Sequence, residues 1–131
     1  MAVIGAGPAG LAVALGLSRL GCTVDILERR PDFSSRGSTL GLAKNGANAL
    51  RELLTGETET SICDGGEDDV LKPLFDVGIK GDGKLSSLLT YGALHDFLLE
   101  KVMAKPDSIV LHMGISITSL DDDEKDEVDE E

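Results

Sequence analysis

Aromatic residues are scarce in this chain: no tryptophan, one tyrosine and three phenylalanines make up 3% of it. Platforms on which nucleic-acid bases could stack are correspondingly few. Basic residues are also in short supply, twelve against 24 acids, for a formal net charge of −12 at pH 7. A chain so negative repels phosphate backbones, which argues against nucleic acid as a partner. Only two cysteines occur, Cys22 and Cys63. Two are too few for a disulfide framework, and neither has companions at zinc-ligand spacing. Cys22 reads as a packed thiol at the mouth of an apolar strand and Cys63 as a loop thiol with no base beside it. Both fit a reducing, intracellular setting better than a secreted one. No apolar run reaches the ~20 residues of a membrane-spanning helix. The N-terminus lacks the basic segment and cleavage pattern of a secretory signal. Because the chain starts almost at its first strand, a longer natural N-terminus carrying a targeting sequence stays open.

What is present is an apolar content of 41% in 131 residues, enough for one domain with a real core. It is short for a cofactor domain and a substrate domain together. The charge is unevenly spread. Residues 121–131, DDDEKDEVDEE, hold nine acids and one lysine, so they carry eight of the twelve net negative charges. Such a block repels itself and buries nothing, so it is expected to be a disordered, solvated tail rather than a metal or partner site. The expected organisation is one domain over 1–120 and an acidic tail over 121–131.

The first thirty residues carry the chemistry. Ala2 to Ile4 is a short apolar run that ends in a glycine turn. Leu11, Ala14, Leu15 and Ser18 then recur at helical spacing, and Gly21 stops the helix. Thr23 to Glu28, TVDILE, alternates and is β-branched, which predicts a second strand. Strand, glycine turn, helix and strand form a βαβ unit, whose crossover should be right-handed. Within the turn, Gly5-Ala6-Gly7-Pro8-Ala9-Gly10 has the G-x-G-x-x-G form. Gly5 allows the tight turn, Gly7 lets a pyrophosphate approach the backbone, and Gly10 lets the helix pack closely on the strand. The helix N-terminus aims free N–H groups and a partial positive charge at those phosphates. Pro8 gives up an N–H at a position where it would be unpaired anyway. Glu28 closes the second strand, where an acid accepts hydrogen bonds from ribose hydroxyls. Its charge disfavours a 2′-phosphate and so argues against NADP in this loop. Arg29 is a candidate contact beside it, whereas Arg30 reads as surface charge. The expected fold class is α/β, a Rossmann-like FAD/NAD(P)-binding βαβ domain.

The stretch VIGAGPAGLAVALGLSRLGCTVDILERR resembles the N-terminus of FAD-dependent aromatic-ring hydroxylases and related flavoprotein monooxygenases. The resemblance lies in G-A-G-P-A-G-L, in Ala14 four residues after the third glycine, and in the strand-ending Glu28-Arg29 pair. The following RGSTLGLAKNGANALREL is similar as well, with Arg36, Gly41, Leu42, Asn45 and Leu50 at the family's positions. The likeness is good over roughly residues 2–54 and thin beyond. It implies FAD as cofactor, with Gly5, Ala6, Gly7, Pro8, Ala9, Gly10, Glu28, Arg29 and Arg36 as its contacts. It further implies NAD(P)H as electron donor and hydroxylation of a small organic substrate in the intact enzyme. The family's second FAD motif, an Asp-Gly followed by a Gly-Asp, and its substrate-binding sheet are missing. The chain therefore reads as a truncated, N-terminal part that is inactive alone, with no catalytic or metal residue of its own.

The residues themselves predict Ser34 to Leu42 to be a small-residue loop, in which Arg36 could give bidentate bonds to a pyrophosphate. Asn45 is placed to cap the next helix, with Ala47, Leu50 and Leu54 on its buried face. Residues 55–72 read as a polar loop or insertion, and Gly81-Asp82-Gly83 as a hairpin turn between two short strands. YGALHDFLLEKVMA reads as an amphipathic helix with Leu94, Phe97, Leu98 and Val102 inside, ended by Pro106. In the resembled family the start of this helix carries R-x-x-L, whose arginine reaches the FAD. Tyr91 stands there instead, a neutral donor that implies a divergent subfamily. His95 is expected on the helix surface and His112 at a strand end, both in structural roles. SIVLHMGISITSL supplies one or two further strands. Two other readings use the same loop: an NAD-binding dehydrogenase domain, and a non-enzymatic nucleotide-binding module. The first should continue in regular βα repeats, which this chain lacks after Ser34.

Overall fold

The apolar runs of the N-terminal half become neighbouring strands. In the computed structural model, which describes residues 1–33, 38–56, 71 and 86–120, β1 (Ala2–Ile4) pairs in parallel with β2 (Val24–Glu28). On the far side of β2 lies β5 (Ile109–Met113), also parallel, so the sheet order is β1-β2-β5 with β2 central. Val3 stands opposite Ile26 and Ile26 opposite Leu111, and Val24 stands opposite Ile109. These residues share one face, because side chains alternate along a strand. That face is the core side: Val24, Ile26 and Ile109 are buried, while Asp25 and Val110 between them are exposed.

Helix α1 (Pro8–Arg19) covers this face with Leu11, Ala14 and Leu15, all buried as their spacing predicts. The chain leaves α1 through Gly21, at φ +82°. Helix α3 (Tyr91–Met103) packs along α1 and adds Leu94, Phe97, Leu98 and Val102 to the same core. Ser18 of α1 and Ser108, just before β5, share a hydrogen bond of 2.7 Å that ties the helix to the sheet's far strand. Burying a leucine or isoleucine side chain is worth about 1.5–3 kcal/mol each. Exposed ion pairs such as Lys101–Glu100, at 3.2 Å, contribute on the order of 1 kcal/mol or less. Packing of α1 and α3, not surface charge, therefore holds the frame that carries the glycine loop.

Between β2 and α3 the chain leaves the parallel sheet. β3 (Thr39–Ala43) pairs antiparallel with β4 (Ser86–Thr90), Gly41 opposite Leu88. Helix α2 (Lys44–Thr55) follows β3 directly and rests on α1. Two expectations are corrected here. The stretch expected to be a loop as far as Leu42 contains a strand, because its pairing partner lies more than forty residues further on. The residue at the N-cap of α2 is Ala43, so Asn45 sits inside the first turn, exposed, and caps nothing. Ala47, Leu50, Leu53 and Leu54 are half-buried against the core, as the periodicity requires. Among the described residues after Met103 a single strand follows, β5. The expected hairpin turn at Gly81-Asp82-Gly83 and the acidic run 121–131 lie outside the described residues, although the strand placed after that turn is β4. Among the described residues no helix is long and apolar enough to cross a membrane.

Candidate functional site

The three glycines of the loop sit in three different geometric settings. Gly5 adopts φ +96°, the left-handed region, and its N–H still bonds the Leu27 carbonyl at 2.8 Å, so the chain turns sharply while paired to β2. A Cβ on Gly10 would land on the Gly5 carbonyl oxygen, so α1 can pass this close to the end of β1 only without a side chain. A Cβ on Gly7 would stand 3.3 Å from the Tyr91 hydroxyl, in the space between the loop and the start of α3. Gly7 is the N-cap of α1 and Pro8 its first residue; the Leu11 N–H closes the first turn on the Gly7 carbonyl at 3.0 Å. The first-turn N–H groups of Ala9 and Gly10 have no partner within the helix and face outward along its axis.

Ala6, between the first two glycines, is 1% exposed and is held from both sides. Its N–H donates to Glu28 Oε2 at 2.8 Å, and its carbonyl accepts from His95 Nε2 at 2.8 Å. A carbonyl can only accept, so Nε2 of His95 carries a proton. The other oxygen of Glu28, Oε1, accepts from the Arg30 N–H at 2.9 Å. Each carboxylate oxygen thus spends one lone pair on the backbone and keeps further acceptor capacity. Together Ala6, Gly7, Glu28, Arg30, Phe33, Tyr91 and His95 line a cavity of about 190 Å³. Sites that take a whole drug-sized ligand measure about 300–1,000 Å³. The described residues therefore wall a space suited to one portion of a dinucleotide, and its charged and polar lining suits a ribose and a diphosphate.

The sequence-predicted residues are brought together unevenly. Gly5 to Gly10 form the loop and the helix start, and Glu28 closes onto the loop. Arg29 does not line the cavity, whereas Arg30, read from sequence as surface charge, does. The turn that presents the Arg30 N–H to Glu28 also sets Arg30 on the cavity wall, although the residue stays exposed. Arg36 lies outside the described residues. His95 is not on the helix surface as expected. It is 7% exposed, flanked by Phe33 with ring centroids 4.7 Å apart and by Tyr91 at 6.2 Å with rings 16° from parallel. The partner of Nε2 is a backbone carbonyl 89 residues away, which leaves no trace in the local sequence, while Nδ1 lies 3.6 Å from Asp96 Oδ1. His112 lies within β5 and bonds Asp25 Oδ1 at 2.7 Å on the open sheet face, away from the cavity. No cluster of metal-ligating side chains occurs among the described residues.

Comparison with known proteins follows the same outline. Residues 3–53 match the family of NAD(P)-binding Rossmann-like domains. Over 62 residues the chain is 42% identical to kynurenine 3-monooxygenase of Mycosarcoma maydis, a match that covers 40% of this chain and 10% of that protein. In three dimensions it is similar to a variant of 2-methyl-3-hydroxypyridine-5-carboxylic acid oxygenase, with a TM-score of 0.64, 20% identity, and coverage of 84% of this chain and 30% of the other. It is likewise similar to the Diels-Alderase PyrE3 of pyrroindomycin biosynthesis, with a TM-score of 0.57, 21% identity, and coverage of 92% and 26%. The chain thus spans about a tenth of the curated relative and under a third of each solved structure. The fold is the Rossmann-like α/β dinucleotide-binding fold, and the likeness of its N-terminal part to FAD-dependent monooxygenases, read from the glycine loop, is upheld.

Proposed function

We propose, from that likeness, that this chain is the FAD-binding part of a flavoprotein monooxygenase-like oxidoreductase, and that its described residues hold the ADP half of the cofactor. One observation carries the reading: the glycine loop and the Glu28 carboxylate meet at Ala6, 2.8 Å apart, on the wall of a single cavity. The diphosphate would lie along Gly7 and the N-terminus of α1, where N–H groups and the helix dipole favour negative charge. The remaining lone pairs of Glu28 would receive the ribose hydroxyls. FAD, when bound, supplies redox chemistry that no side chain here provides. The residues of this chain bind and orient it. Oxidation of NAD(P)H and hydroxylation of a small organic substrate belong, in this reading, to the intact protein.

The path of the chain after β2 favours a flavin over an NAD-dependent dehydrogenase. Regular βα repeats would extend the parallel sheet at once. Here the chain first builds the antiparallel pair β3–β4 and only then returns, through α3, to set β5 beside β2. The Diels-Alderase among the structural neighbours is a reminder that this fold alone does not dictate chemistry. The reading is therefore tested on binding. The purified chain is expected to show the visible absorbance of a flavin, with FAD identified by mass after release, or to acquire it on titration with FAD. Gly7→Val, whose side chain would fill the space beside Tyr91, should lose the cofactor while keeping its helix content by circular dichroism. A well-folded wild-type chain that releases NAD and refuses FAD overturns the flavin assignment.

A further inference from the structure

We infer that Tyr91 and His95, one turn apart on α3, form a diphosphate-binding pair: the Tyr91 hydroxyl donates to the ligand, and His95 fixes the loop peptide against which the ligand lies. The inference rests on the dinucleotide reading above and adds two residues to it. The Tyr91 hydroxyl stands 3.3 Å from the position a Gly7 side chain would take, the space through which a diphosphate reaches the loop backbone. No described group accepts a hydrogen bond from this hydroxyl, so it is free to donate to one. The tyrosine itself is held in place: its N–H donates to the Ser38 carbonyl at 2.7 Å, and Thr90 caps the helix by accepting from the Ala93 N–H at 3.1 Å. The ring lies near-parallel to His95, 6.2 Å away.

His95 acts through the loop rather than on the ligand. Its Nε2–H holds the Ala6 carbonyl at 2.8 Å, while Glu28 holds the Ala6 N–H at the same distance. With both ends of that residue bound, the following peptide, which bears the Gly7 N–H, has one orientation. A buried carbonyl left without its donor would be free to swing, and the loop with it. His95 is thus a positioning residue, and Tyr91 a neutral contact that recognises phosphate oxygen by hydrogen bonding instead of by charge.

The test measures binding of FAD, ADP and adenosine to the whole chain by calorimetry, with adenosine followed by NMR where it binds weakly. Tyr91→Phe keeps the ring and the backbone bond but not the donor. It should weaken FAD and ADP about tenfold and leave adenosine, which has no diphosphate, unchanged. The melting temperature of the ligand-free variant should stay at the wild-type value. His95→Gln can still donate to the Ala6 carbonyl and should bind ADP within about threefold of wild type, whereas His95→Leu should lose about tenfold or more. Equal ADP affinity in wild type and Tyr91→Phe, or a parallel loss of ADP and adenosine binding, overturns the inference while leaving the dinucleotide reading intact. Failure of His95→Gln to rescue reduces His95 to packing and overturns its positioning role. A folded wild-type chain that binds neither FAD nor ADP overturns the dinucleotide reading, and this inference with it.

Discussion

At the scale of single residues, Glu28 shows why residue type is so constrained around the loop. Its two oxygens face two N–H donors, Ala6 at 2.8 Å and Arg30 at 2.9 Å. Only an acceptor-only group satisfies both; an amide would bring an N–H₂ against one of them. Glu28→Gln, nearly isosteric, is therefore expected to lower the unfolding free energy by about 1 kcal/mol. Urea denaturation reads this directly, and an unchanged midpoint would remove the paired-acceptor role. The same logic explains which residues could be read from the sequence. Gly5, Gly10 and Glu28 answer to backbone shape and to N–H partners near the loop, and Gly7 completes the loop's glycine pattern, so their spacing announces them. His95 is not announced, because a backbone carbonyl accepts from any suitable donor and has no residue type of its own. Arg30 is not announced either, for a related reason. Strand alternation assigns Arg29 and Arg30 to opposite sides only while the strand lasts, and β2 ends at Glu28.

At the scale of elements, α1 carries a stability contrast that can be measured within one helix. Gly10 has no room: an added Cβ meets the Gly5 carbonyl oxygen, a backbone atom that cannot move without breaking the loop. Gly16, six residues later, would place its Cβ 3.4 Å from Leu53 Cδ1, an ordinary contact with a side-chain tip. Gly10→Ala is thus expected to destabilise the fold by about 1–3 kcal/mol, the scale of overpacking. Gly16→Ala should stabilise it by about 0.5–1 kcal/mol, because alanine gives up less backbone entropy in a helix. Thermal melts followed by circular dichroism should move in opposite directions, and a shift of the same sign for both would refute the close-packing account of Gly10. The elements legible in the sequence are those whose signals are local: α1, β2 and α3 follow from periodicity over a dozen residues or fewer. β3 is not legible in the sequence because its residues, Thr39–Ala43, include a glycine and an alanine with weak strand preference. What makes it a strand is β4, supplied by a distant part of the chain.

At the scale of the whole molecule, the proposed ligand and the protein carry charge of the same sign. The chain bears −12 in all, and residues 121–131 account for eight of those charges. The diphosphate of a dinucleotide is also negative, so long-range encounter is repulsive even though the loop itself presents N–H groups and Arg30. Short-range hydrogen bonds set how tightly the ligand stays, and the surrounding field sets how fast it arrives. Salt shortens the reach of that field, from about 30 Å at 0.01 M to about 8 Å at 0.15 M. The association rate of FAD or ADP should therefore rise as ionic strength is raised across this range, with the dissociation rate changing little. The usual attractive case runs the other way. Removing residues 121–131 lowers the net charge to −4 and should flatten the salt dependence by more than half while leaving the dissociation rate in place. Stopped-flow fluorescence at a series of salt concentrations separates the two rates. An association rate that falls with salt would mean that Arg30 and the helix dipole dominate the approach as well as the bound state. An unchanged slope without residues 121–131 would mean that the acidic run exerts no field at the loop, and that the repulsion comes from the folded part alone.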